Sequence, residues 1–355
     1  MELIVKNFGP VKDAHIQTKR YNVLIGNTST GKSVLAKLIS IAYEMDFYTI
    51  EDGNFEAYTK LLKKYCIDFP ITSSTRIEII TDLAHWTISK DRLVRSFDSK
   101  NQEVVRILDY MDSFSSLYIP AERNLMSVFT NNIFSFLKSG SNIPESIKRF
   151  GSLYEAAKGE YKNLAIDFMN IKVDFSTEND KITLNDEGTE IRFEQASSGM
   201  QSIIPLWAVF LYGINRYQSG TAIIEEPELN LFPTLQVGLV NNLVTHLNRT
   251  KANLLMTTHS PYILSVMDNL IYANDVYQKA KATNNAELIQ RVENLVNPAL
   301  MIDFDDVAAY HCRVNGEVVY MIDEEMRNTG AYALDSASSV SSRIFNGLMD
   351  IDNEL

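Results

Sequence analysis

Cysteine is scarce in this sequence: Cys66 and Cys312 are the only two. Two thiols so far apart fit neither a disulfide framework nor a metal-ligand spacing, and they suit a reducing compartment. Long apolar runs are missing as well. No stretch approaches the roughly 20 residues that cross a bilayer, and the N-terminus, MELIVKNFGPVKD, has an acid at position 2 and no basic-then-apolar signal pattern. Positive charge is in deficit, with 33 Lys and Arg against 45 Asp and Glu and a formal net charge of −12. That balance argues against a broad basic surface for non-specific DNA binding, which works by releasing counterions from phosphates. Local basic clusters exist at Lys60, Lys63 and Lys64 and at Lys90, Arg92 and Arg95. They read first as solvated faces, and they leave a local DNA contact open. Internal repeats and heptads are absent too, so no long coiled coil is expected. Together these absences predict a cytoplasmic protein with no membrane segment. What remains is an ordinary globular balance, 45% apolar and 22% charged over 355 residues, enough for one large or two ordinary domains.

The order of patterns predicts an α/β fold. ELIVKNF, DAHIQT and NVLIG read as short strands broken at Gly9-Pro10, followed by a helix over 34–44. From about 50 to 170 helices (NFEAYTKLLKKY, NLMSVFTNNIFSFLK) mix with strands (RIEIIT, HWTISK, DRLVRSF, SLYIP). Residues 143–170 read as one amphipathic helical stretch with a break near Gly159, and KITLND with EIRFEQ as a hairpin around Glu187-Gly188. Beyond them, MQSIIPLWAVFLYGINRY, TAIIEE, FPTLQVGLVNNLVTHL, NLLMTTH and SPYILSVMD alternate helix and buried strand. Such alternation implies a parallel sheet covered on both faces. DVAAYHCR and EVVYMID read as a hairpin around Asn315-Gly316, followed by a Ser/Asp-rich tail. The expected division is a discontinuous core (1–49 and 185–300), an α/β insert (50–184) and a C-terminal hairpin with tail (301–355).

Residues 26–33, GNTSTGKS, match G-x-x-x-x-G-K-[ST]. Gly26 and Gly31 let the chain bend so that the backbone N–H groups of the loop, through Asn27, Thr28, Ser29 and Thr30, face a β-phosphate. Lys32 adds a point charge near the β- and γ-phosphates, and Ser33 offers a hydroxyl to Mg²⁺. The strand before the loop and the helix after it give the context that such a cradle needs. Three weaker signals follow in order. QASSGMQS at 195–202 is a Ser/Gly turn before an apolar helix; it reads as a phosphate-binding helix start or as a common cap. TAIIEEPELNLFP at 221–233 ends an apolar strand in two carboxylates, an expensive placement unless they serve a cation or a proton transfer. Glu225 is the expected Mg²⁺ holder and Glu226 the group that polarises the attacking water. TTHSPYIL at 257–264 places His259 at a strand end, where it either reaches the γ-phosphate or is structural.

In this order the motifs resemble those of ABC-class ATPases of the RecF and OLD (overcoming-lysogenisation-defect) type, and most of all the stand-alone bacterial ATPases called AAA-15 or AAA-21. The opening ELIVKNFGPVKDAHI, IPAER at 119–123, EEPELNLFP, THSPYIL and the segment from about Asp305 to Leu348 also resemble that group. The resemblance implies a P-loop ABC-type head with a mixed or parallel sheet core, an antiparallel β subdomain and a helical insert. It implies ATP and Mg²⁺ as ligands. It makes GNTSTGKS the Walker A loop, TAIIEE the Walker B strand, Glu226 the catalytic glutamate, His259 the switch histidine and PELNL the dimer-contacting loop. Ser198 and Gly199 fall at the phosphate-contacting positions of the signature, where Met200 replaces a second glycine. IPAER stands in place of a glutamine loop, with Arg123 as candidate γ-phosphate sensor or partner in a salt bridge to the next helix. In that class the signature of one subunit closes the ATP site of the other, so an ATP-dependent head-to-head homodimer is expected. An ATPase core with no transmembrane segment and no Toprim-like or HNH nuclease motif leads to the expectation of a switch that drives a DNA-linked or effector-linked process, with a separate nuclease or toxin as effector, in anti-phage defence. The alternative is a RecF-like DNA-binding repair ATPase.

Overall fold

The computed structural model describes residues 1–97, 116–129, 143–175, 180–185, 188–216 and 220–334. Three sheets organise them. β1 (Glu2–Phe8) and β2 (Val11–Gln17) form a hairpin that β4 (Arg76–Ile80), β5 (Ala84–Ser89) and β6 (Arg92–Phe97) extend into an antiparallel sheet in the order β2-β1-β4-β5-β6. β8 (Asn163–Ile166), β9 (Ile171–Asp174), β10 (Lys181–Leu184) and β11 (Thr189–Arg192) make a second antiparallel sheet. The central sheet has the order β15-β14-β3-β13-β12-β7, built from β3 (Tyr21–Ile25), β7 (Ser116–Ile119), β12 (Thr221–Glu225), β13 (Asn253–Thr258), β14 (Val307–Cys312) and β15 (Val318–Tyr320). Its pairs are parallel except the β14–β15 hairpin. The mixed α/β class expected from the alternating pattern is therefore observed. The central sheet draws a strand from each part of the chain distinguished above, β7 from 50–184 and β14 from beyond 300 among them.

The helices are α1 (Lys32–Ile41), α2 (Met45–Tyr48), α3 (Phe55–Lys64), α4 (Met126–Phe129), α5 (Glu145–Glu160), α6 (Ser198–Arg216), α7 (Pro233–Leu247), α8 (Pro261–Ala282) and α9 (Ala286–Leu295). The period-2 alternation of the central strands divides the core in two. Tyr21, Val23, Ile25, Leu117, Ile119, Ala222, Ile224, Leu254 and Met256 join one cluster with α5 to α8 and β8 to β11. Leu24, Tyr118, Ile223 and Leu255 join the other with α1, α3 and the β1–β6 sheet. Every one of these strands is buried on both faces, which is why they read as continuous apolar runs rather than as alternating ones.

Two expectations need correction. The helix over 143–170 ends at Glu160, and 163–166 is a strand whose Leu164 and Ile166 are buried while Asn163 and Ala165 are exposed. That period of 2 pairs with β9 in the second sheet, and four residues were too few to stand out beside a helix. The helix begun by SPYILSVMD runs on to Ala282. The part of NLMSVFTNNIFSFLK beyond Phe129, the Glu187 position and the tail after Leu334 lie outside the described residues. No helix among the described residues is long and apolar enough to cross a membrane. In the basic clusters, Lys60 pairs with Glu56, Lys64 with Asp46, and Arg95 donates to the carbonyls of Tyr48 and Ile50.

The two thiols give a direct test of this packing. Cys66 is exposed, whereas Cys312 is buried at the end of β14 and burial pushes its thiol up to about 12. Reaction with Ellman's reagent at pH 8 is expected to label one thiol per native chain and a second only after denaturation, because the thiolate is the reacting form. Equal labelling rates for both thiols in native protein would contradict the buried placement of β14.

Candidate functional site

The strand registers bring the motifs to one edge. Ile25 pairs with Thr258 and with His311, and Glu225 with Thr257. So the loop after β3, the glutamates at and just past the end of β12 and the histidine after β13 all lie at the carboxyl ends of adjacent parallel strands, the edge where open α/β sheets bind ligands.

The loop at 26–31 is held from outside. A Cβ placed on Gly26 would lie 2.2 Å from the carbonyl oxygen of Cys312, and one on Gly31 would lie 2.7 Å from a Val11 methyl. Gly31 also has φ +94, a backbone region that side chains rarely adopt. Only glycine fits both places, so the loop is pressed between β14 and the β1–β2 turn. Asn27, Thr28 and Ser29 are exposed, Thr30 is buried and donates to the Asn27 carbonyl (2.8 Å), and Ser33 is exposed on the first turn of α1. Lys32 Nζ folds back onto the Gly26 and Asn27 carbonyls at 2.8 and 2.9 Å. It lies 3.4 Å from the His259 ring nitrogens. Burial lowers its pKa, while the Cys312 thiol and then Glu226, Glu228 and Glu225 oppose that shift.

Across from the lysine, His259 Nε2 meets Glu226 Oε1 at 2.9 Å. Glu226 has φ +43, an uncommon conformation for a side chain of that size. Its N–H donates to the Thr257 carbonyl at 2.8 Å. Glu225 is buried; one carboxylate oxygen accepts the Ala121 N–H at 3.3 Å and the other has no hydrogen-bond partner. A buried carboxylate oxygen that no hydrogen bond satisfies, with the buried Tyr118 hydroxyl as its neighbour, fits a cation or a cation's water. A glycine-held loop with exposed backbone and a lysine aimed along it fits a phosphate chain. The donor sets could take a nucleoside triphosphate and a divalent cation, and the side chains that could hold the cation are Ser33 and Glu225.

Ser198 and Gly199 open α6 behind Ser197, whose hydroxyl caps the Met200 N–H at 3.4 Å. Ser198 is exposed and Gly199 buried, where a Cβ would lie 2.9 Å from the Asn230 carbonyl. Among the described residues no hydrogen bond or ion pair joins either of them to Lys32, Glu225, Glu226 or His259. The structure therefore gathers Lys32, Glu225, Glu226 and His259 and leaves Ser198 exposed.

Arg123, the candidate γ-phosphate sensor or salt-bridge partner, forms no ion pair among the described residues. Its guanidinium is fully buried and donates to carbonyls of Glu225 (2.7 Å), Glu226 (2.6 Å), Pro120 and Ser202 (both 3.2 Å) and Pro227 (3.5 Å). Glu228, overlooked as a site residue, accepts from the Thr258 hydroxyl (2.6 Å) and from the His259 N–H (2.8 Å), and so ties PELNL to the histidine. Its place as third acid in EEPELNL was the available signal.

The AAA ATPase domain model AAA_15 matches residues 88–264, about half of the chain. The chain belongs with the AAA-15 ATPases. The match takes in Arg123, the 195–202 turn, both strand-end glutamates and His259; the 26–33 loop precedes it. Among solved structures the chain is similar to the SMC head domain from Thermotoga maritima, at 14% identity and a TM-score of 0.43, covering 75% of this chain and 90% of that one. It is also similar to the SmcHead bound to the C-winged helix domain of ScpA, at 12% identity and a TM-score of 0.48, over 91% of this chain and 98% of that one. A third similar structure is the Smc head domain with an extended coiled coil bound to the C-terminal domain of ScpA derived from Pyrococcus furiosus. It shows 11% identity and a TM-score of 0.47, over 97% of this chain and 98% of that one. No curated protein matches the chain.

Proposed function

We propose that this AAA-15 ATPase binds and hydrolyses Mg-ATP as a dimeric switch that acts through a separate effector. The observation that carries the reading is the contact of Glu226 with His259 at 2.9 Å, facing a lysine held by the phosphate loop. A carboxylate and an imidazole in that relation can orient a water and hold its proton as a phosphoryl group leaves. The bound cation would supply charge neutralisation of the phosphates. Lys32 binds the phosphate chain, Glu226 polarises the water, and His259 steadies Glu226.

Two features of the surface around the site support the dimer. Ser198 at the start of α6 is exposed, and no hydrogen bond among the described residues joins it to its own chain's lysine. A second copy facing head to head would bring those donors to the γ-phosphate, and ATP would favour the closed pair by differential binding. Phe232 and Tyr262 are exposed apolar residues at the starts of α7 and α8, next to PELNL and His259, and suit a face that a second copy covers. With no Toprim-like or HNH nuclease motif in the sequence, the effector of this reading is a separate protein and its setting anti-phage defence.

The test pairs phosphate release by the wild-type chain with its mass in solution, measured with and without Mg and a non-hydrolysable ATP analogue. Turnover together with analogue-driven doubling of mass is the expected result. Turnover from a chain whose mass ignores the analogue would remove the dimer; no turnover at all would remove the ATPase.

A further inference from the structure

Three segments that the ATPase reading treats separately meet at one side chain. IPAER begins at the end of β7, the glutamates stand at and just past the end of β12, and Ser202 lies in the first turns of α6. Arg123 is fully buried yet touches all three through backbone carbonyls, with Glu225, Glu226 and Pro227 on one side and Ser202 on the other. A cation is rarely placed where no water reaches it, and here carbonyl dipoles satisfy it. Burial lowers its pKa to about 10, with Glu228, Glu226, Glu225 and Glu122 opposing, so it stays charged at neutral pH.

The planar fork matters to this arrangement. Nη1 and Nη2 reach the carbonyls of consecutive residues, Glu225 and Glu226, while Nε turns the other way to Ser202. A lysine has its three donors at one point and cannot span them. The Glu226 carbonyl is held where the residue adopts φ +43, so the bond at 2.6 Å helps fix the direction of the Glu226 side chain.

We infer that Arg123 is a positioning residue that couples the start of helix α6 to Glu226, so that a shift of α6 on its partner's phosphate reorients the water-polarising carboxylate of the same chain. This rests on the ATPase reading above. It assigns Arg123 no contact with the nucleotide.

The test compares wild type with Arg123→Lys and Arg123→Gln by the affinity for a fluorescent ATP analogue, by kcat and KM, and by thermal melting. The expected result is a cooperative melt, analogue affinity within about twofold, KM nearly unchanged and kcat lowered at least about tenfold in both variants. Arg123→Lys turning over as fast as wild type would overturn the inference, as would a fall in kcat matched by an equal loss of affinity. If neither variant melts cooperatively, hydrogen exchange on wild type decides. Peptides spanning Gly199–Ile204 and Glu225–Leu229 are then expected to slow together on adding Mg and a non-hydrolysable analogue, and slowing of one alone would overturn the coupling. Wild type without turnover sinks the ATPase reading and this inference together, whereas wild-type turnover retained in Arg123→Lys sinks this inference alone.

Discussion

Glu226→Gln is expected to lower ATP turnover by about 10²–10⁴-fold, the range that a positioned general base contributes. The amide keeps the size of the carboxylate and can still hydrogen-bond His259, but it can neither take a proton from water nor polarise it as an anion. Mg-ATP affinity is expected to stay within a few-fold, because Lys32 and Glu225 are untouched and Glu226 holds no part of the loop. The loss therefore falls on kcat and leaves KM nearly alone, the signature of an interaction made only in the transition state. Stability should change little: the Glu226–His259 pair is about one-third exposed, and such pairs contribute little to folding. In the dimer reading the same variant binds ATP, closes and does not reopen, so its mass doubles with Mg-ATP and stays doubled over hours. Phosphate release by Glu226→Gln at the wild-type rate would remove Glu226 from the chemistry.

The elements that were legible in advance are those whose cause is local. The strand-loop-helix around Gly26–Ser33 carries its own spacing, and the buried strands β12 and β13 carry apolar runs with punctuation on both sides. The hairpins 181–192 and 307–320 were visible through alternation and a glycine with positive φ at each turn, Gly188 and Gly316. What was not legible depends on partners far along the chain. β8 has four residues and is a strand because β9 lies beside it. Arg123 was a candidate phosphate sensor or salt-bridge partner because IPAER stands in place of a glutamine loop. Its true acceptors are backbone carbonyls about a hundred positions away, and carbonyls leave no mark on a sequence. Glu228 was hidden for the same reason, since one of its donors is the backbone N–H of His259. The positions of Lys32, Glu225, Glu226 and His259 were each readable from a strand end; the contacts among them follow from which strands are neighbours.

Lys32→Ala is the complementary experiment, with its effect on binding. Lys32 as a residue is 5% exposed, and its ammonium makes charged hydrogen bonds to the Gly26 and Asn27 carbonyls. Those acceptors hold the side chain along the loop, where the proposed phosphate chain would lie. Removing the cation has two consequences of opposite visibility. Phosphate loses at least one charge-assisted bond, worth about 1.5–3 kcal/mol, so nucleotide affinity should fall roughly 10- to 100-fold. The loop carbonyls lose their donor, so the nucleotide-free chain should also melt at a lower temperature, on the order of 1–3 kcal/mol less stable if water does not replace the ammonium. Calorimetric titration with Mg-ATP checks the first, and melting without nucleotide checks the second. Lys32→Arg separates charge from shape: its fork cannot enter the space between the two carbonyls as the compact ammonium does. It should therefore restore part of the affinity and little of the turnover. Lys32→Ala binding Mg-ATP as tightly as wild type would mean that the loop at 26–33 is not the phosphate site, whatever Glu226 does. The two substitutions thus divide the site, since Glu226→Gln loses rate with affinity intact, and Lys32→Ala loses affinity first and rate as its consequence.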